Sequence, residues 1–259
     1  MNPHIEYLLR LGDSSLVLGQ RLAEWTGHGP VLEEDIALTN IALDLVGQAR
    51  LLLTHAGRLE GAGRDEDALA YFRDTAEFRN FTLCELPNSG IERGRAHGAC
   101  YGFTVVRNLL FFAWQAQCWG ALTDSADRDL AAIAAKSAKE TAYHLRHAAD
   151  WVVRLGDGTA DSHARCQRAL DQLMPYCNEL FAADALEEDL AARGIGVRGA
   201  DLKAGWDAQV RAVLEEATLT LPAACAFTSA GRRGQHSEHF EYLLAEMQSL
   251  ARAHPGAQW

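Results

Sequence analysis

VLEEDIALTNIALDLVGQARLLLTHAGRL, residues 31–59, decides the fold class. Its apolar residues recur at helical spacing, and no proline interrupts them. Pro30 is well placed to open a helix, and Gly61-Ala62-Gly63 to close it. At ~1.5 Å per residue this helix is roughly 40 Å long, the length that bundle helices need.

Helical periodicity continues on both sides, and no β-hairpin signal interrupts it. The spacing predicts a first helix from His4 to Trp25. A third helical region, Glu66 to Leu86, is broken in the middle and stops before Pro87. A fourth helix runs from Arg95 to Leu122. A fifth runs from Ala126 to Leu155, with its N-cap in Thr123-Asp124-Ser125. The sixth, Asp161 to Ala183, contains Pro175, which should kink or split it. Shorter helices are expected at Leu186–Ala192 and Asp201–Leu219. The last runs from Ser237 to Ala253, with Ser237 as its N-cap. Long helices joined by short turns imply antiparallel neighbours and an all-α four-helix core. Helices two, four, five and six are the longest and form the expected core set. No Ser/Gly/Pro-rich linker divides the chain, so residues 1–259 read as one domain.

The formal net charge is −11 and the isoelectric point about 5.3. Such an acidic chain is a poor partner for nucleic acid or an anionic membrane. One basic turn, Gly231-Arg232-Arg233-Gly234, stands apart: such turns are usually solvated, but this one could meet a phosphate or an acidic partner. No run of ~18 apolar residues is present, so no membrane span is expected. Met1-Asn2-Pro3-His4 has neither the basic nor the apolar region of a signal peptide. The six cysteines are scattered without a C-x-x-C, as buried, reduced, cytosolic thiols would be.

Long helical bundles of this kind often hold two metal ions, through carboxylates and paired Glu-x-x-His motifs. This sequence contains no Glu-x-x-His. The nearest approach is Glu140-Thr141-Ala142-Tyr143-His144, where Tyr143 takes the i+3 place and the histidine comes one residue late. On helix two, Asn40, Asp44 and Gln48 share one stripe. This stripe faces either solvent or the bundle interior. The apolar residues around the rest of the helix favour the interior and suggest a helix surrounded by protein. On that reading Asp44-Leu45-Val46-Gly47 stands where a ligand motif would be, with Gly47 in place of histidine. On helix five, Glu140, His144 and His147 admit two readings. One is an atypical metal site. The other is a hydrogen-bonded interior network, favoured because no second helix supplies a matched motif. His236-Ser237-Glu238-His239 reads as capping or surface histidines rather than a zinc site. Neither G-x-S-x-G nor a nucleotide-binding glycine motif occurs.

Several stretches carry a resemblance. They are Leu9-Arg10-Leu11-Gly12-Asp13, Gln20-Arg21-Leu22 to Trp25, Gly27-His28, and Asp44-Leu45-Val46-Gly47-Gln48-Ala49-Arg50. Further on come Phe78-Arg79-Asn80, Glu85-Leu86-Pro87-Asn88, Lys139-Glu140, Tyr143-His144-Leu145-Arg146 and Trp151 to Leu155-Gly156. The last are Gly234-Gln235-His236-Ser237-Glu238-His239, Leu244-Ala245-Glu246-Met247-Gln248 and Gln258-Trp259. Together they resemble the C subunits of bacterial phenylacetyl-CoA epoxidases, the multicomponent ring-1,2-phenylacetyl-CoA monooxygenases. The resemblance implies a ferritin-like fold in a cytoplasmic protein of phenylacetate catabolism. It implies a non-catalytic role supporting a homologous A subunit, which carries the di-iron centre and binds the thioester. This chain would then hold no cofactor and supply no catalytic residue. Asp44, Glu140 and His144 would form a polar network in place of the metal. The implied partners are the A subunit, the other subunits and an NADPH-dependent reductase, with self-pairing as a homodimer when alone. The alternative is an autonomous metalloenzyme built on Glu140, His144 and His147.

Overall fold

A computed structural model of the chain describes residues 2–91 and 99–257. The expected start of the fourth helix, at Arg95, and the closing Gln258-Trp259 lie outside these residues. The fold is all-α and ferritin-like, with ten α-helices and no strand among the described residues. It divides into two compact units. One comprises Met1–Leu86 with Ala230–Trp259, and the other Pro87–Ser229.

The first unit is built on α1 (Pro3–Ala23) and α2 (Leu32–Glu60), the most extensively packed helix pair among the described residues. Asn2 caps α1 by accepting from the His4 amide at 3.0 Å. Helix α1 belongs to the core although it is shorter than the four helices expected there. Sixteen of its residues, Ile5 through Leu22, are buried. Its approach to α2 is close because Gly12 and Gly19 face that helix. A Cβ on Gly19 would lie 3.2 Å from the Ala42 carbonyl and 3.3 Å from the Leu45 Cβ. The third helical region is broken, as its sequence implies: α3 (Glu66–Tyr71), a 3₁₀ turn at Thr75–Glu77, then α4 (Thr82–Glu85). The unit closes with α10 (Phe240–Ala253), which starts three residues later than expected, with His239 rather than Ser237 at its N-cap.

Helix α2 departs from its sequence reading. Asn40 is exposed, Asp44 half-buried and Gln48 fully buried, so the stripe runs from solvent into the protein. The helix is not surrounded. Leu32, Ile36, Leu43 and Val46 are all exposed. One 18-residue window reaches a mean hydropathy of 1.4, so by length and composition α2 could cross a membrane. Its other face is packed along α1.

The second unit contains α5 (Tyr101–Leu122), α6 (Arg128–Gly156), α7 (Ala160–Phe181), α8 (Ala185–Ala192) and α9 (Gly199–Glu216). Helix α5 is its centre, packed by α6, α7 and α9. The Trp206 indole on α9 donates to the Leu110 carbonyl of α5 at 2.8 Å. Asp127, not Thr123-Asp124-Ser125, caps α6, accepting from the Asp129 and Leu130 amides. Helix α7 runs unbroken through Pro175. Proline frees the carbonyl four residues earlier, and Asp171 is exposed, so water can take that hydrogen bond.

A buried ion pair fixes α1 to the segment after α3. Asp13 is fully buried and Arg73 nearly so. The two terminal guanidinium nitrogens of Arg73 donate to the two Asp13 oxygens, and the Arg79 amide donates to Oδ2 at 2.8 Å. Arg73 also donates to the Leu69 and Glu77 carbonyls and lies 4.2 Å over the Phe78 ring. Asp13→Ala would strand this guanidinium without its counter-charge, which costs about 3–5 kcal/mol. Urea unfolding should show a loss of that size, whereas replacing an exposed acid such as Asp150, on α6, should change stability by under about 1 kcal/mol.

Candidate functional site

A di-metal bundle draws acidic ligands from each of its core helices, and α5 and α6 are two long helices of the second unit packed on each other. Helix α5, YGFTVVRNLLFFAWQAQCWGAL, contains no carboxylate. Its buried polar side chains are Thr104, Arg107, Asn108 and Gln115. Against them α6 presents Thr141 and His144, both fully buried. The Thr141 hydroxyl lies 3.2 Å from Gln115 Oε1, and the His144 ring rests against Phe112 with centroids 5.2 Å apart. Arg107, itself fully buried, donates to the Asn88 side-chain oxygen at 2.8 Å. Amides, hydroxyls, one imidazole and a guanidinium cannot neutralise two divalent ions, so this helix pair does not fit a di-iron centre.

The remaining α6 residues turn away from that seam. Glu140 is half-buried and pairs with Lys136 at 2.5 Å, an i,i+4 contact at the surface. Tyr143 is exposed, with Arg146 5.8 Å from its ring, and His147 is half-buried. Glu140 and His144 thus lie in the second unit, and Asp44 lies on α2 of the first.

A dense polar site forms around a residue that the motifs do not single out. Glu85, at the end of α4, is fully buried. One carboxylate oxygen, Oε2, accepts from Asn80 Nδ2 at 2.8 Å and meets His236 Nδ1 at 2.7 Å. The other accepts from the Ser237 amide at 2.5 Å. His236 Nε2 reaches the Phe78 carbonyl at 3.2 Å, and the ring stacks on Phe240 with centroids 4.2 Å apart. Arg21 donates to the Glu85 carbonyl at 2.9 Å and to the His239 carbonyl at 3.2 Å. The His236 side chain is 2% exposed, so it is neither a cap nor a surface histidine. With acceptor oxygens at both ring nitrogens, this histidine works as a clamp and has no edge left for a substrate.

The neighbouring basic turn is structural too. Arg232 is buried over the Phe81 ring at 5.2 Å, while Arg233 is exposed. Gly231 sits so close to the chain at Asn80 that an added Cβ would fall 2.4 Å from its carbonyl oxygen. A charged residue inside an apolar run, as in Leu83-Cys84-Glu85-Leu86, is the signal by which the sequence could have marked this site.

The thiols sort by burial. Cys84, Cys118, Cys166 and Cys177 are buried and Cys100 is half-buried, but Cys225 is exposed, contrary to the expectation of six buried thiols. Burial, with a smaller contribution from Cys100, pushes the Cys166 thiol up to about 11. Burial raises Cys177 further still.

An all-α fold with paired long helices, and no carboxylate on the central one, defines a ferritin-like bundle without the usual ligand set on α5. The chain belongs to the phenylacetic acid catabolic protein family, whose profile matches residues 1–259. It is similar to the C subunit of the 1,2-phenylacetyl-CoA epoxidase of Escherichia coli (strain K12), being 45% identical over 259 residues that cover 100% of both chains.

Thiolate is the reactive form, so a thiol with a pKa near 11 stays protonated and slow at neutral pH. At pH 8 a disulfide reagent should label Cys225 first. Cys166 and Cys177 should react only after unfolding, and mass spectrometry of labelled peptides reads this order. Rapid labelling of Cys177 in the folded protein would contradict the packing of α7.

Proposed function

We propose that this chain is a non-catalytic structural subunit of a phenylacetyl-CoA epoxidase complex, acting in the cytoplasm in aerobic phenylacetate catabolism. The observation that carries this reading is the absence of any carboxylate on α5, in a chain similar over its whole length to the C subunit of such an epoxidase. Its partner is the A subunit, which in the resembling complexes carries the di-iron centre, together with the remaining subunits and the reductase. This chain contributes shape rather than chemistry: a stiff helical body against which the A subunit keeps its own helices in register. In isolation the chain pairs with a second copy.

An autonomous metal site at Glu140, His144 and His147 is the weaker reading, because Glu140 is engaged by Lys136 and α5 offers no opposing carboxylate. Elemental analysis of the purified chain should find no stoichiometric iron, manganese or zinc. The chain alone should not epoxidise phenylacetyl-CoA. Adding it to the A subunit and reductase should raise turnover or the A subunit's melting temperature. Full turnover without this chain, with no binding between the two, would refute the structural role. Two bound metals per chain would favour the alternative.

A further inference from the structure

Two of the six thiols meet on the bare face of one glycine. Cys100 is the N-cap of α5, and Cys166 lies in the second turn of α7, both within the second unit. Gly102 is buried at the start of α5. A Cβ placed on Gly102 would lie 3.3 Å from Cys166 Sγ and 3.9 Å from Cys100 Sγ. Both sulfurs therefore rest against one point, in the space that a side chain at residue 102 would take. Glycine is a poor helix former, and here its missing side chain makes the room in which the thiols meet.

The two thiols differ in access. Cys100 is half-buried and Cys166 fully buried. A reagent in water can reach Cys100 but not Cys166, so the Cys100 sulfur is the route by which oxidation passes inward. The backbone of Cys100 is held on both sides: its amide donates to the Asn88 carbonyl at 2.7 Å, and its carbonyl accepts from the Thr104 amide at 3.1 Å. Turning the side chain is then the main freedom left to this sulfur. Burial keeps Cys166 protonated, and the nearness of Cys100 adds to that effect. The pair therefore stays reduced and quiet until Cys100 is itself oxidised.

We propose that Cys100 and Cys166 close into a reversible disulfide when the chain meets hydrogen peroxide, a redox staple that fastens the start of α5 to α7. The Cys100 sulfur attacks one peroxide oxygen, the O–O bond breaks, and the other oxygen leaves as water with the thiol proton. Cys100 is then a sulfenic acid. The Cys166 sulfur attacks the Cys100 sulfur, the S–O bond breaks, and hydroxide leaves as a second water with the Cys166 proton. Two electrons pass from the thiols to the peroxide. Proximity offsets the small thiolate fraction of Cys166, because the second step is intramolecular. A dithiol reductant returns both cysteines. Disulfides of reducing compartments are mostly of this transient, redox-sensing kind. The inference rests on the two thiols alone and does not depend on the subunit assignment.

The test treats the reduced, purified full chain with hydrogen peroxide, unfolds it in iodoacetamide and digests it without reductant. Mass spectrometry should find the Cys100 and Cys166 peptides joined, two hydrogens lighter than their sum, and dithiothreitol should part them. In Cys166→Ser, Cys100 should remain a sulfenic acid that dimedone traps. In Cys100→Ser, Cys166 should stay reduced. Closing so long a loop should raise the melting temperature of the treated wild-type chain by roughly 5–10 °C over the reduced chain, a shift that both serine variants should lack. The exposed Cys225 is the internal control, since its oxidation shows that the peroxide acted. Oxidised Cys225 with no Cys100–Cys166 pair in the wild-type chain would overturn the proposal, and this measurement needs neither variant. Oxidation of Cys166 in Cys100→Ser, or a joined chain that melts no higher than the reduced one, would overturn it as well.

Discussion

The first unit depends on closing a long loop. Its two pieces, Met1–Leu86 and Ala230–Trp259, are separated in the chain by the whole of the second unit. Bringing such distant segments together costs chain entropy that grows slowly with loop length, so a few strong contacts can hold the closure. Glu85 supplies them. Its carboxylate gathers His236 and the Ser237 amide from the returning segment and Asn80 from its own side, while its carbonyl takes Arg21 from α1. Each partner is itself fixed: Arg21 continues to the His239 carbonyl and His236 to the Phe78 carbonyl. A buried carboxylate is costly unless its lone pairs are met, and here they are met from both sides of the closure at once. Gly231 lets the returning chain approach Asn80 and Thr82 closely enough for this to happen.

Local features are legible in the sequence, and contacts between distant residues are not. The long helices follow from periodicity, and the break between α3 and α4 is readable in the same way. Boundaries move by a few residues because caps compete: Asp127 takes the α6 amides that Thr123-Asp124-Ser125 is expected to serve, while Ser125 itself bonds the Ile195 carbonyl. The Glu85–His236 contact leaves no periodic trace, since the two residues are 151 positions apart. The same holds for Asp13 with Arg73, which are 60 apart. The basic turn misleads for a related reason. Arg232 looks solvated in sequence, yet its guanidinium stacks on Phe81, and an arginine can bury its stem and planar head against a ring at little cost. Helix α2 looks surrounded because its apolar residues point in nearly every direction, yet Leu32, Ile36, Leu43 and Val46 are exposed.

The second unit explains why a bundle with no carboxylates on its central helix need not be weak. A di-metal centre draws carboxylates inward and then neutralises them with the ions. Helix α5 avoids that arrangement and fills the space with Phe111, Phe112, Trp114 and Trp119, all buried. Large aromatic side chains bury ~150–250 Å² each, and their stabilisation does not depend on the arrival of an ion. Polar groups of α5 are tied to near neighbours, as in Gln115 with Thr141 and Arg107 with Asn88. The α5–α6 seam is thus held by packing and by hydrogen bonds between neighbouring side chains.

Helix α2 stands in contrast, because its open face is not satisfied by anything in its own unit. Its hydropathy alone would also suit a bilayer, but its polar residues argue otherwise. Glu33, Glu34 and Asp35 crowd its first turn, and Asp44, Gln48 and Arg50 interrupt its middle. Each would be expensive in hydrocarbon, where charged side chains at a helix centre cost about 2.5–3.5 kcal/mol or more. In the folded chain those same residues are inexpensive: Gln48 turns inward and is fully buried, Asp44 is half-buried, and Glu33, Arg50 and Arg58 stay in water. The acidic first turn and the exposed Arg50 and Arg58 towards the other end therefore keep both ends of α2 in water, and its polar residues set it apart from a uniformly apolar span.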